Sequence, residues 1–151
     1  MKVRAARVIG AGEEITIAYT GVIAQTKARQ KALEPYEIVC TCPACSNPVQ
    51  SDRRRTQILL SDVLALRHRR DPLQAALEKL NLLELEGLQS IDVYRTVIQV
   101  VADRYIDKGD KKKAMHYGRQ LYEAQCALGQ GNAYLKYRDL DKVKWDSKKV
   151  A

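Results

Sequence analysis

The chain has 151 residues, 46% of them hydrophobic, which is enough to bury one core or two small units that share one. Its apolar runs are only a few residues long, far below the roughly 20 that cross a bilayer, and charge follows Met1 directly. Neither a membrane span nor a secretory leader is expected, and the chain reads as intracellular, in the nucleus or the cytoplasm. Lysine and arginine outnumber acids by 26 to 18, a net charge of +8, but the basic residues are spread along the sequence and form no aromatic-interleaved stripe. A solvated surface is therefore favoured over nucleic-acid binding, and Arg53, Arg54 and Arg55 read as the solvated start of a helix.

The first nineteen residues read as strand and turn. Val3, Val8 and Ile9 precede the breakers Gly10 and Gly12, after which Ile15, Ile17 and Tyr19 alternate with Thr16 and Ala18. Residues 24–34 contain good helix formers and predict a short helix that Pro35 ends. A cysteine loop follows from Val39 to Pro48. From Asp52 onward the spacing is helical, with Ile58, Leu59, Val63 and Leu66 on one face. Asp71 then caps a helix that has Pro72 in its first turn; its stripe is Leu73, Leu77, Leu80 and Leu83 or Leu85, and Gly87 stops it. Ser90 is the expected cap of the next helix, whose stripe of Ile91, Tyr94, Ile98, Val101 and Tyr105 runs to Gly109. A partner helix starts at Asp110 and carries Ala114, Tyr117, Leu121 and Leu128 to Gly129.

The link at Gly109 and Asp110 is so short that these last two helices must form an antiparallel hairpin. The pair resembles one tetratricopeptide repeat, with Tyr105, Gly109, Asp110, Ala114 and Tyr117 in that repeat's packing and turn positions. A single repeat cannot bury both faces, so it should pack on the preceding helices or on the N-terminal unit. The tail after Asn132 mixes charge with scattered apolar residues; it reads as a last loose helix that Trp145 either anchors or leaves partly exposed.

Four cysteines in a reducing compartment do not suggest a disulfide framework. Cys40, Cys42 and Cys45, spaced C-x-C-x-x-C, place three sulfurs close enough to converge on one ion, and Pro43 stiffens the loop between the second and third. Thiolates are soft ligands, and a structural zinc takes four ligands, so zinc fits best and one ligand is missing. His68, His116 and Cys126 are distant in sequence, and each is more often a packed or surface residue than a ligand. The fourth ligand stays open.

The stretch ARVIGAGEEITIAYTG, followed about twenty residues later by PYEIVCTCPACS, resembles the end of a SET domain running into its cysteine-rich post-SET loop. Gly12, Glu13, Glu14 and Tyr19 match that family's glycine–glutamate strand and its tyrosine, and Tyr36 with the three cysteines matches the loop. The intervening ARQKALEPY and the helical remainder are similar to the branch that pairs SET with a MYND insert and a tetratricopeptide-like tail. The resemblance implies an α+β fold, mostly α: the C-terminal end of a SET domain over residues 1–36, with a small β-containing remnant, a zinc loop over 37–50, and an antiparallel helical tail over 51–151. It also implies methyl transfer from S-adenosylmethionine to a lysine of a protein substrate, with histones among the candidates.

In that chemistry a neutral amine attacks a sulfonium methyl in a dry channel, and free lysine, with a pKa near about 10.4, must first lose its proton. By position Tyr19 matches the family's catalytic tyrosine and Tyr36 its channel partner. Ile38 stands where an aromatic residue normally stacks near the cofactor's adenine. The family's asparagine–histidine cofactor motif, which also brings the fourth zinc cysteine, has no counterpart in the sequence, so the chain is expected to be a fragment that is inactive alone. The alternative is a non-catalytic helical protein-interaction module with a zinc loop, its tail taking an acidic peptide.

Overall fold

The computed structural model describes residues 5, 9–15, 17–60, 72–142 and 145. Its elements are α1 (Thr26–Leu33), the short α2 (Pro43–Ser46), α3 (Pro48–Leu60), α4 (Pro72–Leu85), α5 (Asp92–Lys108), α6 (Lys111–Ala127) and α7 (Leu135–Arg138), with single 3-10 turns at Glu34–Tyr36, Gly131–Tyr134 and Leu140–Lys142. No strand occurs among the described residues, so the fold is all-helical and the expected α+β class with a β-containing N-terminal remnant is wrong. The reason is physical. Alternation of Ile15, Ile17 and Tyr19 supplies one face of a strand, but a ladder also needs a neighbour to take its N–H and C=O groups, and none pairs with it among the described residues. Ile15 and Ile17 are left 74% and 61% exposed. The order that does form here is a turn: Glu13 N–H donates to Gly10 O at 3.1 Å, and Gly10 N–H donates to the Glu13 carboxylate at 3.0 Å. Val3, Val8 and Thr16 lie outside the described residues.

Helix ends in the second half follow local chemistry. Three helices finish in the same way at Gly87, Gly109 and Gly129: the glycine N–H bonds back three residues, and the next N–H bonds back five, as in Leu88 N–H to Leu83 O at 2.8 Å and Asp110 N–H to Tyr105 O at 3.0 Å. Gly109 has φ 75°, a left-handed conformation that costs a residue without Cβ nothing, and the chain therefore reverses directly into α6. Asp110 caps α6 through its side chain, which accepts from Lys113 N–H at 3.0 Å. The predicted cap at Ser90 does not form; Ile91 holds the N-cap position without a side-chain bond, and Asp92 puts a negative charge in the first turn instead. Asp71, Val63 and Leu66 fall outside the described residues.

The core is a stack in which α5 packs against α4 on one side and α6 on the other. Val97, Ile98, Val101 and Ala102 of α5 are fully buried with Leu83 of α4 and Ala114 and Leu121 of α6. Each buried Val, Leu or Ile contributes about 1.5–3 kcal/mol relative to exposure, so this ladder supplies most of the local driving force. The α4 stripe runs through Leu83 and leaves Leu85 in solvent; likewise Ile58 is buried in α3 while its expected companion Leu59 is exposed. Tyr105 and Tyr117 stack across the hairpin with centroids 5.5 Å apart and planes 3° from parallel.

The tail is an anchored strap. Tyr137 and Leu140 are buried, Tyr137 donates its hydroxyl to Asp103 at 2.7 Å, and Trp145 donates its indole N–H to Leu140 O at 3.0 Å. Gly118 of α6 makes room for it: a Cβ there would lie 2.7 Å from Leu140 Cδ1 and 3.0 Å from the Tyr137 carbonyl. Trp145 packs on the core while staying partly exposed, and Tyr137 is the more completely buried of the two.

The solvated arginine run is a further correction. Helical geometry turns Arg53 outward and Arg55 inward, where Arg55 donates to Ser51 Oγ at 3.1 Å and to Glu86 at 2.9 Å. Glu86, at the turn after α4, also accepts from Ser51 at 2.6 Å and Arg54 at 2.5 Å. Arg55 reaches the Val22 carbonyl as well, and Val22 and Ile23 pack on the core. Lys79 Nζ donates to Ile58 O at 2.7 Å, so one of the last carbonyls of α3 is capped from α4.

Burial works against ionising Glu86, yet the Ser51 hydroxyl and the two guanidiniums outweigh it and hold its pKa below the ordinary carboxylate value. A depressed folded-state pKa stabilises above the unfolded pKa and loses that contribution as pH falls through the folded one. Glu86→Ala is expected to cost about 3–5 kcal/mol in urea denaturation at neutral pH, because Arg55 is left buried without its anion. Glu86→Gln should flatten the loss of stability seen in wild type on acidification below the usual carboxylate range.

Candidate metal centre

Two devices bring the three sulfurs together. Cys42 is the N-cap of α2 and Pro43 its first residue; Cys45 and Ser46 N–H groups both donate to Cys42 O at 2.9 Å, so Cys42 and Cys45 stand on the same side of one helical turn. Cys40 is set by Gln30 of α1, whose amide donates to Cys40 O at 2.8 Å and accepts from Cys40 N–H at 3.1 Å. That pair of bonds mimics a β ladder with a side chain. The chain reverses between α1 and the loop at Glu37, a non-glycine residue with φ 55°, where Ile38 N–H donates to Leu33 O.

The three Sγ atoms lie within 4.8 Å of one another, and no histidine, carboxylate or fourth cysteine joins them among the described residues. Thiolates at about 2.3 Å from one tetrahedral ion sit about 3.8 Å apart, so the loop needs only a small closure to hold a metal such as zinc. Cys42 is exposed and Cys40 and Cys45 are half-buried, and none of the chain's four cysteines is in a disulfide. Burial pushes the Cys42 thiol up, but the Cys45 backbone N–H and the neighbouring sulfurs of Cys40 and Cys45 outweigh it and leave it lowered. For Cys40 the Cys42 backbone N–H favours the thiolate, while burial and the same crowding of sulfur win and leave it raised. The loop thus divides its protons unevenly before any ion arrives, with Cys42 the readiest ligand.

Two residues with no place in the metal arithmetic of the sequence complete the surroundings. Arg29 is buried and directs its guanidinium at Cys45 Sγ, 3.4 Å away, at Thr26 Oγ1, 3.1 Å away, and at the Ala24 carbonyl. Thr26 is in turn fixed by Asp52 of α3, which accepts from its N–H at 2.7 Å and its hydroxyl at 2.9 Å. Spacing within the cysteine motif contains no trace of these contacts; the only hint is that Arg29 and Gln30 are adjacent polar residues of α1 at a point where its apolar spacing lapses.

Of the other sequence-predicted residues, Tyr19 and Tyr36 are together. Their ring centroids are 5.6 Å apart with planes tilted by 52°, although each ring is more than half exposed. Ile38, just beyond the turn, is exposed to solvent. His116 packs edge-on against Tyr117 at 4.9 Å, Cys126 fills the space beside Gly131, and His68 lies outside the described residues. Neither His116, which is exposed, nor Cys126, which is half-buried, joins the cysteine group.

A groove of about 240 Å³ runs between α4 and α6, lined by Leu77, Leu80, Asn81, Glu84, His116, Tyr117 and Gln120. Its one formal charge is the Glu84 carboxylate, which accepts from Tyr94 at 3.3 Å. No helix among the described residues is long and apolar enough to cross a membrane. Comparison with family models, with curated proteins and with solved structures gives no match for this chain.

The cysteine group is expected to bind one cobalt(II) per chain, seen as sulfur-to-metal charge-transfer absorption and released by zinc. Cys42→Ser should weaken that binding beyond the roughly 10–100-fold typical of changes outside the ligand set.

Proposed function

We propose that Cys40, Cys42 and Cys45 hold zinc, and that residues 1–50 carry the lysine-facing tyrosines and metal loop of a SET-type, S-adenosylmethionine-dependent protein-lysine methyltransferase whose helical tail is residues 51–151. The observation that carries the reading is the meeting of Tyr19 and Tyr36 at 5.6 Å across seventeen residues of sequence, on the segment that leads into the cysteine loop. Two phenols at this separation can flank one amine: one hydroxyl accepts from its N–H while a ring face shields it from water. Zinc follows from the donor set, three soft sulfurs in a loop that needs little movement to close. The substrate is a protein lysine, with histones among the candidates.

The residues present do not fit S-adenosylmethionine. Ile38 has no ring face to stack on a purine, and the exposure of Tyr19 (55%) and Tyr36 (57%) leaves both phenols in water where an in-line displacement needs a dry channel. In this reading the tyrosines form one wall, and the described residues beside them supply neither an opposite wall nor a cofactor site.

A second reading keeps the metal loop structural and makes the helical tail a docking module for an acidic peptide. Its support is the exposed run Lys111, Lys112 and Lys113 at the start of α6, where among the described residues only Lys113 has an ion partner, Asp110 at 3.8 Å. Peptide capture that survives Tyr19→Phe and is lost on charge reversal of the three lysines would favour this reading.

Residues 1–151 alone are expected to give no calorimetric heat with S-adenosylmethionine and no transfer of radiolabelled methyl to histone or other protein lysines. A protein that carries these residues together with coding sequence upstream of Met1 is expected to transfer methyl, and Tyr19→Phe to lower kcat by about 10²–10³-fold. Turnover by residues 1–151 alone overturns the incomplete site; an extended protein that binds the cofactor but transfers no methyl overturns the methyltransferase reading.

A further inference from the structure

We propose that Arg29 is the charge partner of the metal site, a positioning residue that holds the Cys45 thiolate and makes metal occupancy part of the fold of the N-terminal half. The inference rests on the reading of Cys40, Cys42 and Cys45 as metal ligands. Arg29 is only 6% exposed and has no carboxylate within ion-pairing distance among the described residues. Arg55, the other buried arginine, has Glu86 at 2.9 Å. A guanidinium does not lose its proton inside a protein, so burial without an anion is a standing cost that the fold must offset.

The acceptors around Arg29 are two neutral oxygens, Ala24 O and Thr26 Oγ1, and the sulfur of Cys45 at 3.4 Å. Asp52, the nearest carboxylate in the network, is already taken by the N–H and hydroxyl of Thr26 and reaches Arg29 only through that residue. Among the described acceptors of the guanidinium, Cys45 is therefore the one able to carry a full negative charge, which it has as a metal-held thiolate. Three thiolates on a divalent ion leave one net negative charge, and Arg29 supplies one positive charge beside it. The same α1 helix offers Gln30 to the Cys40 backbone, so consecutive side chains hold the first and third ligands. Outer partners of this kind set ligand orientation and tune the metal.

The test compares the full chain with Arg29→Met, Arg29→Gln and Arg29→Lys, loaded with cobalt(II) or zinc alone. Competition against a chromophoric chelator is expected to show cobalt binding weakened about 10–100-fold in Arg29→Met and Arg29→Gln, with the charge-transfer band moved to lower energy, while Arg29→Lys stays close to wild type. Without metal, Arg29→Met is expected to melt at or above the wild-type temperature, and with metal below it. A plain packing role lowers both and leaves the band in place. Unchanged affinity and band position in Arg29→Gln, in a protein whose circular dichroism matches wild type, overturns the proposal even if Arg29→Met fails to fold. Failure of the wild-type chain to bind cobalt through sulfur overturns instead the metal reading beneath it.

Discussion

The arrangement depends on one buried carboxylate. Glu86 gathers Ser51, Arg54 and Arg55 of α3 onto the turn that closes α4, and Arg55 extends the tie to the Val22 carbonyl on the far side. From Val22 the chain runs directly into α1, and α1 supplies the residues that shape the cysteine loop. A carboxylate at the turn after α4 is thus tied through Arg55 to the segment that leads into the helix beside the sulfurs. One carboxylate holds two guanidiniums and a hydroxyl here; remove it and Arg55 is left buried without its anion.

Much of the helical half is written in local chemistry. Gly87, Gly109 and Gly129 by their backbone and Asp110 by its side chain each shape a helix end with no help from distant residues, and the stripes on α4, α5 and α6 state which faces meet. What could not be read was whatever depends on a partner far away in sequence. Ile15, Ile17 and Tyr19 satisfy the period of a strand and still form none, since pairing is a property of two segments. Arg55 looks solvated beside Arg53 and Arg54 until Glu86, thirty-one residues on, is placed next to it. Tyr137 was hidden for the same reason: a tyrosine among lysines and aspartates becomes a core residue only because α5 and α6 leave a slot of its shape.

The cysteine loop stands between these cases. Its spacing alone implies convergence, and the sulfurs do converge. The pairing of Tyr19 with Tyr36 was expected from a resemblance, not from periodicity, and the rings are neighbours although the strand that was to carry one of them is absent. Position and secondary structure are separable here, because the turn at Glu37 and the docking of Val22 and Ile23 are enough to bring the two segments together. Nothing in the C-x-C-x-x-C pattern foretold Arg29, which lies against Cys45 without an acidic partner among the described residues.

The notch at Gly118 imposes an order of assembly on the molecule. The strap that carries Tyr137 and Leu140 finds its seat only where α6 lacks a side chain and where Asp103 of α5 waits for a hydroxyl, so its place exists once the hairpin has closed and not before. On a ribosome the strap also emerges after both helices. Timing of synthesis and geometry of the receptor agree, since the strap is made after the surface it clasps.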